Sequence, residues 1–408
     1  MNSLKDVSLG LESVSCLCEL LDNPQDKFRS IHIAGTNGKG SVGAYLESIL
    51  IESGYTVGRY VSPAIENIYE TITINKKCIT LQDYEYYKNK VEKLSKSVVL
   101  KGIRKPSEFE IETAIAYDYL STRCDIALIE VGMGGRLDAT NILHNKILSV
   151  ITSISLDHTQ FLGDTLPKIT FEKCGIINND TPTVTISQDN QILEVIKKIC
   201  KDKNSPLWIA NTNDTLNIKL SNDYTLSFDY LNYKDVKSKL IGDFQVDNAI
   251  LSIKASEILG ISQENIINGI LKATWKYRFE IISHNPLFIL DGCHNVGASI
   301  RLKNSIDTYF TGKSICYIMG VFKDKDYKSM VKNLCSKADI IYTIATNGDR
   351  SLSAELLAQE VRKYNKNVIP CDNIRQAIEL SKKSNKDVTI AFGSLSTLDN
   401  FRKLIINN

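Results

Sequence analysis

The feature that most constrains this chain is a glycine-rich segment, residues 35–41, which directly follows a short apolar run. The sequence from position 31 reads IHIAGTNGKGS, and apolar residues then recur at helical spacing from Val42 to Leu50. This order predicts a strand over Ser30–Ala34, a loop, and an amphipathic helix. The main-chain amides of such a loop and of the helix N-terminus together bind a multiply charged phosphate. The segment therefore predicts a site for a nucleoside triphosphate.

Two side chains of this loop suit a triphosphate and its metal ion. Lys39 can reach the terminal phosphates, and the hydroxyl of Ser41 can bind the accompanying magnesium. The spacing departs from the usual G-x-x-x-x-G-K-[ST], because Gly35 precedes Gly38 by three residues and Gly40 separates the lysine from the serine. The alternative interpretation is a glycine-rich turn between strand and helix with a solvated lysine.

Composition excludes several classes of function. The 408 residues suffice for two or three domains, and 43% hydrophobic with 24% charged residues are typical of a soluble globular protein. A net charge of +2 provides no basic field for nucleic acid or for an anionic membrane, so we expect neither partner. The first residues lack the apolar core of a signal peptide, and no apolar run approaches the ~20 residues of a membrane span.

The cysteines favour a reducing compartment. Ten cysteines are scattered without a C-x-x-C pair, and several lie inside apolar runs. This distribution predicts reduced, buried thiols in a cytoplasmic protein. Five histidines are present, none at metal-ligand spacing from a cysteine, so we expect no zinc site.

Apolar segments that lack period-2 alternation predict strands buried on both faces of a parallel sheet. Cys124–Val131 and Leu148–Ile154 are two such segments, in addition to Ser30–Ala34. Each is followed by polar residues, and in open α/β sheets ligands bind at the carboxyl ends of the strands. We therefore expect the glycine-rich loop, Glu130 and His158 to converge.

Helical and apolar patterns alternate over the whole chain and predict an α/β protein. In the first part we predict helices at Phe109–Leu120, Thr165–Ile176 and Asn248–Leu259, strands at Thr183–Ile186 and Leu207–Ala210, and a hairpin over Leu216–Tyr230. In the second part we predict strands at Leu287–Leu290, Ser314–Met319, Ile340–Ile344, Asn367–Ile369 and Val388–Phe392. The predicted organisation is a P-loop-type ATPase domain with a mostly parallel sheet over 1–274, and a smaller Rossmann-like α/β domain over 275–408.

Glu130 is the first candidate residue outside the loop. A carboxylate at the end of a strand, beside a phosphate site, is a suitable ligand for Mg²⁺, which prefers hard oxygen donors. Three glycines follow in the segment EVGMGGRLDATN and permit close approach of the backbone. The alternative is a helix-capping turn in which the glutamate pairs with an arginine.

The remaining candidates carry weaker signals. A lone histidine such as His158 is often structural. Lys173 has the pattern of an exposed helical lysine. Arg278 lies at the predicted boundary of the second domain, where its permanently charged guanidinium could reach phosphate. Asp291 and His294 lie at the end of a predicted strand, where they could face the same ligand as Arg278. The alternative is that they form a structural ion pair within the smaller domain.

A series of sequence blocks covers nearly the whole chain in order. The blocks are AGTNGKGS (34–41), YVSPAI (60–65), ETITIN (70–75), FEIETA (109–114), EVGMGGRLDATNI (130–142), SISLDHTQFLGDTL (153–166), EKCGI (172–176), IGDFQVDNA (241–249), RFE (278–280), LDGCHN (290–295), GVFKDKD (320–326) and FGSLS (392–396). By these blocks the chain resembles the folylpolyglutamate synthase/dihydrofolate synthase family of the Mur ligase superfamily. The larger predicted domain accordingly resembles the Mur ligase central domain.

This resemblance implies a site for ATP, two magnesium ions and a folate. The ATP-binding residues would be Gly35, Thr36, Asn37, Gly38, Lys39, Gly40, Ser41, Asn248, Arg278 and Asp291. The metal ligands would be Ser62, Glu130, His158 and a carbamylated Lys173, and K⁺ is a further candidate ion. The residues on the pterin side would be Phe109, Glu110, Leu137, Asp138 and Ala139. The residues implied in catalysis are Lys39, Glu130, His158, Lys173, Arg278 and His294.

The implied reaction is ATP-dependent amide ligation by a cytoplasmic monomer that acts on folate, L-glutamate and ATP. The γ-phosphoryl group moves to a folate carboxylate, the α-amine of L-glutamate attacks the acyl phosphate, and phosphate leaves. We therefore predict a folylpolyglutamate synthase. The alternatives are a bifunctional enzyme that also joins dihydropteroate to glutamate, a peptidoglycan Mur ligase, which the EVGMGGRLDATN block disfavours, and a nucleotide-binding regulator without catalysis.

Some positions depart from the family pattern. Ala64 and Thr71 stand where the family often has histidine and arginine, so the folate contacts of those two side chains are not carried over. Ser8 replaces an aspartate that is often found in the dihydropteroate segment, which favours glutamate addition over dihydrofolate synthesis. Phe244 replaces a histidine, whereas the arginine of the family's W-P-G-R is kept as Arg278.

Overall fold

The computed structural model describes residues 10–64 and 67–406. The departure at Ser8 lies outside the described residues, as does Ile65 of the YVSPAI block. Helices and strands alternate along the described chain, and its two large sheets are mostly parallel. The predicted α/β class is confirmed.

The α-helices of the described chain are numbered in order. They are α1 (Glu12–Leu20), α2 (Lys39–Glu52), α3 (Leu81–Leu100), α4 (Glu108–Leu120), α5 (Thr159–Leu162), α6 (Leu166–Cys174), α7 (Asn190–Asp202), α8 (Asp243–Ile258), α9 (Gln263–Lys272), α10 (Val296–Tyr309), α11 (Tyr327–Leu334), α12 (Ala354–Val361), α13 (Ile374–Lys383) and α14 (Leu395–Ile406). Short 3₁₀ helices lie at Pro24–Asp26, Ile68–Thr71, Thr212–Asp214 and Cys335–Lys337.

The strands are numbered in the same way. They are β1 (Arg29–Ala34), β2 (Val57–Tyr60), β3 (Ile72–Ile74), β4 (Lys77–Cys78), β5 (Ile126–Glu130), β6 (Lys146–Ile151), β7 (Thr183–Ile186), β8 (Leu207–Ala210), β9 (Thr215–Leu220), β10 (Leu226–Tyr230), β11 (Tyr233–Ser238), β12 (Glu280–His284), β13 (Leu287–Asp291), β14 (Ile315–Met319), β15 (Ile340–Thr343), β16 (Val368–Pro370) and β17 (Val388–Phe392).

The eight-stranded sheet positions the candidate site. Its strand order is β4-β3-β2-β5-β1-β6-β7-β8, parallel from β2 to β8, with β3 and β4 antiparallel at one edge. In its centre the register pairs Ile33 of β1 with Glu130 of β5 and Ala34 with Ile151 of β6. The three central strands therefore end at one edge, where the glycine-rich loop begins.

Helix α2 is buried on all faces rather than on one. Every residue from Ser41 to Leu50 is buried, so the predicted helix exists but its predicted amphipathic character is wrong. Helix α9 packs on α2 so closely that a Cβ on Gly269 would lie 2.4 Å from the Cα of Ile49. A helix that is covered by a second helix as well as by a sheet needs apolar residues all round.

The amphipathic prediction for α4 is wrong for the same reason. Residues from Thr113 to Leu120 are all buried, and both α1 and α3 pack on this helix. The helix predicted over Thr165–Ile176 is present but shorter, because α6 spans only Leu166–Cys174.

Other differences from the prediction concern the boundaries and number of elements. Helix α8 begins at Asp243 rather than Asn248. The predicted hairpin is present as β9 and β10, and β11 adds a third strand in the order β11-β10-β9. Strand β12, which the sequence pattern did not reveal, pairs antiparallel with β13.

The described chain divides into two compact units. The first contains the residues up to Ile218 together with Phe228–Lys237 and Asp247–Ala273. The second contains Lys219–Ser227, Ser238–Val246 and the residues from Thr274 onward. It holds the six-stranded sheet, whose order is β12-β13-β17-β14-β15-β16 and whose strands from β13 to β16 run parallel.

All ten cysteines lie within the described chain as free thiols. Eight of them are buried, as predicted, but Cys78 is exposed and Cys124 is half-buried. Over residues 10–64 and 67–406, no helix combines the length and the apolar character required to cross a bilayer.

Replacing Gly269 by alanine should destabilise the protein although alanine favours helices. The added Cβ would meet the main chain of Ile49, which cannot move without shifting α2, so we expect a loss of about 1–3 kcal/mol in the free energy of unfolding. Urea titration of the purified variant measures this loss. The neighbouring Asn268→Ala is the matched control and should be neutral or slightly stabilising. Equal stability of the two variants would contradict the close α2–α9 packing.

Glu112 on α4 should make stability depend on pH. Burial, and secondarily the Glu108 carboxylate, raise the pKa of Glu112 from 4.5 to about 7. Below pH 4.5 both states hold the proton, whereas between pH 4.5 and about 7 only the folded state holds it. The free energy of unfolding therefore falls as the pH rises through this window and levels off above it. Glu112→Gln should therefore gain about 1–2 kcal/mol relative to the wild type between about pH 5 and about pH 8.

The measurement is chemical unfolding of both proteins across that pH range. Glu92→Gln, a change at an exposed glutamate of α3, serves as control and should run parallel to the wild type at every pH. A constant difference between Glu112→Gln and the wild type would show that the carboxyl does not titrate as inferred.

Candidate functional site

The glycine-rich loop leads directly into the N-terminus of α2. Gly38 is the N-cap residue in a left-handed conformation, with φ at 92°, and as a glycine it has no side chain to cap the first turn. A Cβ at this position would lie 2.4 Å from Oδ1 of Asn248, so the Asn248 side chain of α8 lies directly against the loop. The first amides of α2 therefore form an anion-binding N-terminus of the kind the sequence predicts.

The loop is hydrogen-bonded to the segment that follows β6. The Thr36 hydroxyl donates to the Ser155 carbonyl at 3.0 Å, and the Thr152 hydroxyl donates to the Asn37 carbonyl at 2.8 Å. A Cβ on Gly35 would lie 1.8 Å from the Thr152 Oγ1, so only glycine allows this approach. These contacts hold the loop in one position against the sheet.

Lys39 points back across the loop. Its Nζ donates to the Gly35 carbonyl at 3.3 Å and lies 3.9 Å from Oε1 of Glu130. Both side chains are mostly buried, at 16% and 12% exposure. The predicted convergence of the loop and Glu130 is confirmed, and the solvated lysine of the alternative interpretation is not observed.

Lys173 is buried, so the expectation of an exposed helical lysine is wrong. Its Nζ donates to the Gly35 carbonyl at 2.8 Å. Burial, together with the positive charge of Lys39, lowers the pKa of Lys173 to about 7. The carboxylates of Asp157 and Asp138 act in the opposite direction. Helical periodicity could not reveal this position, because the surface that covers Lys173 comes from loops distant in sequence.

The segment after Glu130 explains how Lys173 reaches the loop. A Cβ on Gly135 would lie 2.6 Å from the Lys173 carbonyl, and the Arg136 amide donates to the Glu172 carbonyl at 2.8 Å. The glycines thus permit the close backbone approach that the sequence predicts, here to the C-terminal end of α6. Arg136 forms its ion pair with Glu172 at 3.0 Å, which differs from the alternative of a Glu–Arg pair within the turn.

His158 lies in the segment that the loop contacts. It is the N-cap of α5, in a left-handed conformation with φ at 49°. Its imidazole is 37% exposed, and Nε2 lies 4.0 Å from Oδ2 of Asp157. Ser62, another candidate metal ligand, has a buried Oγ that finds no hydrogen-bond partner among the described residues.

The candidate metal ligands do not form a ready-made cluster. Within the described ranges, no group of three or more His, Cys, Asp or Glu side chains could hold a metal ion. Mg²⁺ usually keeps several waters and nucleotide oxygens and takes only one or two protein carboxylates. The oxygen donors of Glu130, Ser62 and Ser41 are of the type that such an ion takes beside a nucleotide.

The expected pterin-side residues differ from one another in their environment. Phe109 stacks on Tyr60, with ring centroids 6.4 Å apart, and its ring would touch a Cβ on Gly132 at 2.7 Å. Asp138 is buried and accepts hydrogen bonds from the amides of Met133 at 2.8 Å and Thr140 at 3.0 Å. Leu137 is half-buried in the same turn, and Ala139 is part of the hydrophobic core.

Glu110 caps the N-terminus of α4. Its two carboxylate oxygens accept hydrogen bonds from Arg104 at 2.7 and 2.8 Å, and one of them also accepts from the amide and hydroxyl of Ser107. This is a capping box at the start of α4. Its buried side chain is engaged in this cap, and the expectation that Glu110 lines the substrate site stays a prediction.

The candidate residues of the second unit also lie together. Asp291, at the end of β13, accepts hydrogen bonds from the amides of Phe279 and Cys293, each at 2.9 Å. A Cβ on Gly292 would lie 1.9 Å from a guanidinium nitrogen of Arg278. Burial raises the pKa of Asp291, and the positive charge of Arg278 opposes that rise. His294 donates from Nδ1 to the Gly292 carbonyl at 2.8 Å.

Two residues near the loop were missed by the sequence analysis. Arg59 of β2 is buried, pairs with Glu47 at 3.2 Å and donates to the Gly40 carbonyl at 2.6 Å, so it braces the loop from beneath. His32 of β1 is fully buried and contacts Thr140. In the sequence, each of these residues is visible only as a polar residue within a predominantly apolar strand. That pattern does not reveal which group the side chain contacts.

Comparisons with known proteins extend this picture over the whole chain. The family model of the Mur ligase middle domain matches residues 33–256, and that of the Mur ligase glutamate ligase domain matches 277–395. The dihydrofolate synthase/folylpolyglutamate synthase of Bacillus subtilis is 33% identical over 97% of this chain and 95% of that protein. The dihydrofolate synthetase of Saccharomyces cerevisiae is 34% identical over 82% of this chain and 80% of that protein.

A solved structure agrees with these relatives. The folylpolyglutamate synthase of Mycobacterium tuberculosis, complexed with ADP and AMPPCP, matches with a TM-score of 0.90 at 27% identity and covers 97% of this chain and 95% of that chain. The chain thus matches both Mur ligase domain models and aligns over most of its length with relatives of more than 30% identity. It belongs to the folylpolyglutamate synthase/dihydrofolate synthase family of Mur ligases.

Proposed function

We propose that this protein is an ATP-dependent ligase that adds L-glutamate to a folate through an acyl-phosphate intermediate. The observation that carries the proposal is the position of Lys39 and Lys173, which both donate to the Gly35 carbonyl beside Glu130. Two lysine side chains at one loop suit a ligand with several negative charges, such as a polyphosphate. The chain also matches both the middle and the glutamate ligase domains of the Mur ligases.

The nucleotide is proposed to bind at residues 35–41 and the N-terminus of α2. The N-terminal amides of that helix and the Lys39 ammonium group supply positive charge, and Asn248 lies against the loop at Gly38. Arg278, Asp291 and His294 of the second unit are proposed to contribute to nucleotide binding or catalysis. Their roles stay predictions from the family resemblance.

Ser62, Glu130, His158 and Lys173 are the proposed metal ligands. The buried hydroxyl of Ser62, which has no hydrogen-bond partner among residues 10–64 and 67–406, and the carboxylate of Glu130 support this assignment. Magnesium, when bound, neutralises phosphate charge in such a reaction. Carbamylation of Lys173 would convert a buried ammonium into an anion and exchange its hydrogen bond to Gly35 for a metal ion. A second magnesium ion and K⁺ stay predictions.

The protein's own contribution to the reaction is to position the reactants and to neutralise charge. A folate carboxylate and a triphosphate are both anions, and their approach is strongly repulsive at low dielectric. Lys39 can offset that repulsion where the phosphoryl group transfers. Asp138, in the turn after β5, and Phe109 of α4, which packs on that turn at Gly132, are proposed to bind the pterin side. Holding the reactants in line accounts for much of the expected rate.

Dihydrofolate synthesis is the second candidate activity. The name of the B. subtilis relative includes both activities, which favours a bifunctional enzyme. Thr71, one of the departures, is buried and donates to the Ile68 carbonyl at 2.7 Å, so its hydroxyl closes a turn instead of facing a ligand. Ser8, which stands in place of an aspartate of the dihydropteroate segment and lies outside the described residues, is the reason for placing glutamate addition first and dihydropteroate ligation second.

Three further properties are proposed on the same basis. We propose a cytoplasmic location, which eight buried free thiols support. We propose a monomer that acts on small molecules. We propose functional domains over 1–274 and 275–408, which the two matched family regions support.

ADP release in the presence of ATP, magnesium and L-glutamate tests the function. We expect release to depend on tetrahydrofolate or 5,10-methylene-tetrahydrofolate, with dihydropteroate as the acceptor that reveals bifunctionality. Lys39→Met should lower kcat about a hundredfold or more, because one charge at the transferring phosphate is lost. Lys168→Met, at a mostly exposed lysine of α6, is the control and should keep full activity. Glutamate incorporation into none of the three acceptors would refute the proposed function.

Lys173 should be modified when carbon dioxide is available. We expect intact-mass analysis in bicarbonate to show one added CO₂ in the wild type and none in Lys173→Met, and kcat of that variant to fall about a hundredfold or more. Lys168→Met again serves as control, because it removes a lysine from the same helix and leaves Lys173 in place. A wild-type mass that bicarbonate does not change, with full activity, would exclude carbamylation.

A further inference from the structure

A buried hydrogen-bonded chain leads from the central strand to the proposed pterin turn. His32 of β1 is 0% exposed, and its Nε2 lies 2.9 Å from the Thr140 Oγ1. The Thr140 hydroxyl is also hydrogen-bonded to Oδ1 of Asp138. Thr140 is itself 0% exposed and Asp138 only 5%, so the chain is shielded from water.

The direction of the hydrogen bonds in this chain follows from the donors available. The amides of Met133 and Thr140 both donate to Asp138, which marks its carboxyl as an acceptor. The single hydroxyl proton of Thr140 therefore points to Asp138. The Thr140 oxygen is then an acceptor, so Nε2 of His32 must be the nitrogen that carries the proton.

The second nitrogen of His32 has no partner. Its Nδ1 is buried without a hydrogen bond among the described residues. Burial, and secondarily the charge of Lys146, lower the pKa of His32 well below its usual value, so the ring is neutral. An unsatisfied buried nitrogen is costly, and a leucine would avoid that cost. The single hydrogen bond to Thr140 is thus the polar contact that a histidine provides here.

Asp138 is the end of the chain that faces the proposed substrate. Its Oδ2 would lie 3.3 Å from a Cβ on Gly132, the same glycine on which the ring of Phe109 packs. Asp138 also interacts electrostatically with Lys39 and Lys173. Its carboxylate therefore lies at the glycine on which the aromatic side chain proposed for the pterin packs, within electrostatic reach of the lysines proposed for the phosphate.

We propose that His32 is a positioning residue for the folate acceptor: it holds the Thr140 hydroxyl toward Asp138 and thereby fixes the orientation of the Asp138 carboxylate. This inference rests on the proposed function, because it assumes that Asp138 contacts the acceptor. Without the N–H of His32, the Thr140 oxygen loses the donor that helps to fix the direction of its hydroxyl. Asp138 then keeps its two amide contacts, but the third hydrogen bond, from the Thr140 hydroxyl, is held less firmly.

Steady-state kinetics with a double-mutant cycle tests the proposal. His32→Leu and Thr140→Val each break one link with little change in volume. We expect each to raise the KM for the folate acceptor about tenfold, with little change in the KM for ATP. The double variant should equal either single variant within about twofold, because both changes break the same chain. His32→Gln, which can present an N–H at a similar reach, should restore most of the acceptor affinity.

Ser149→Ala is the matched control. Ser149 of β6 is also fully buried, but its hydroxyl donates to the Ile176 carbonyl and has no link to Asp138. It should leave the KM for the acceptor unchanged. Additive effects of His32→Leu and Thr140→Val, or an unchanged acceptor KM in the folded variants, would overturn the proposal.

Nitrogen-15 NMR of the histidine rings gives a readout that does not depend on activity. The chain has five histidines, so the His32 signals can be assigned from the spectrum of His32→Gln. We expect a neutral ring protonated at Nε2 throughout the neutral pH range. Protonation at Nδ1 would overturn the inference even if the enzyme is active. A wild type without ligase activity but with the expected tautomer would refute the proposed function and leave the chain of hydrogen bonds intact.

Discussion

Two ammonium groups share one main-chain carbonyl at the proposed site. Lys39 and Lys173 both donate to the oxygen of Gly35, at 3.3 and 2.8 Å. Like charges at this separation repel strongly where water is excluded, and burial together with Lys39 lowers the pKa of Lys173 to about 7. Glu130 and Asp138 offset part of that repulsion. A polyphosphate would complete the balance of charge, and the proposed ATP chemistry depends on this arrangement.

Close contacts at glycines hold these charges in place. Gly35 packs on Thr152, Gly38 on Asn248, and Gly135 on the carbonyl of Lys173. Each contact is shorter than a Cβ would allow, so the loop, the turn after β5 and the end of α6 form one tightly packed edge of the sheet. Such an edge needs little rearrangement when a ligand binds, which is how enzymes lower the entropy cost of bringing reactants together.

Polar residues inside the central strands brace the same edge from beneath. Arg59 of β2 contacts the Gly40 carbonyl, and His32 of β1 contacts Thr140. Both are buried in otherwise apolar strands, where an uncompensated polar group is costly. Their partners lie in the two loops that carry the proposed phosphate and pterin contacts, so the interior of the sheet and its ligand-binding edge are coupled.

The sequence alone determined the α/β class, the central strands, the phosphate-binding loop and the family, because each depends on residues close together in the chain. Apolar runs placed β1, β5 and β6, and the order of glycines, lysine and helix placed the loop. The tertiary structure decided what lies on each surface. It buried both faces of α2 and α4, brought Lys173 to Gly35, and engaged Glu110 in a helix cap. Periodicity records only which side chains are apolar, whereas burial and hydrogen bonding depend on segments that are distant in sequence.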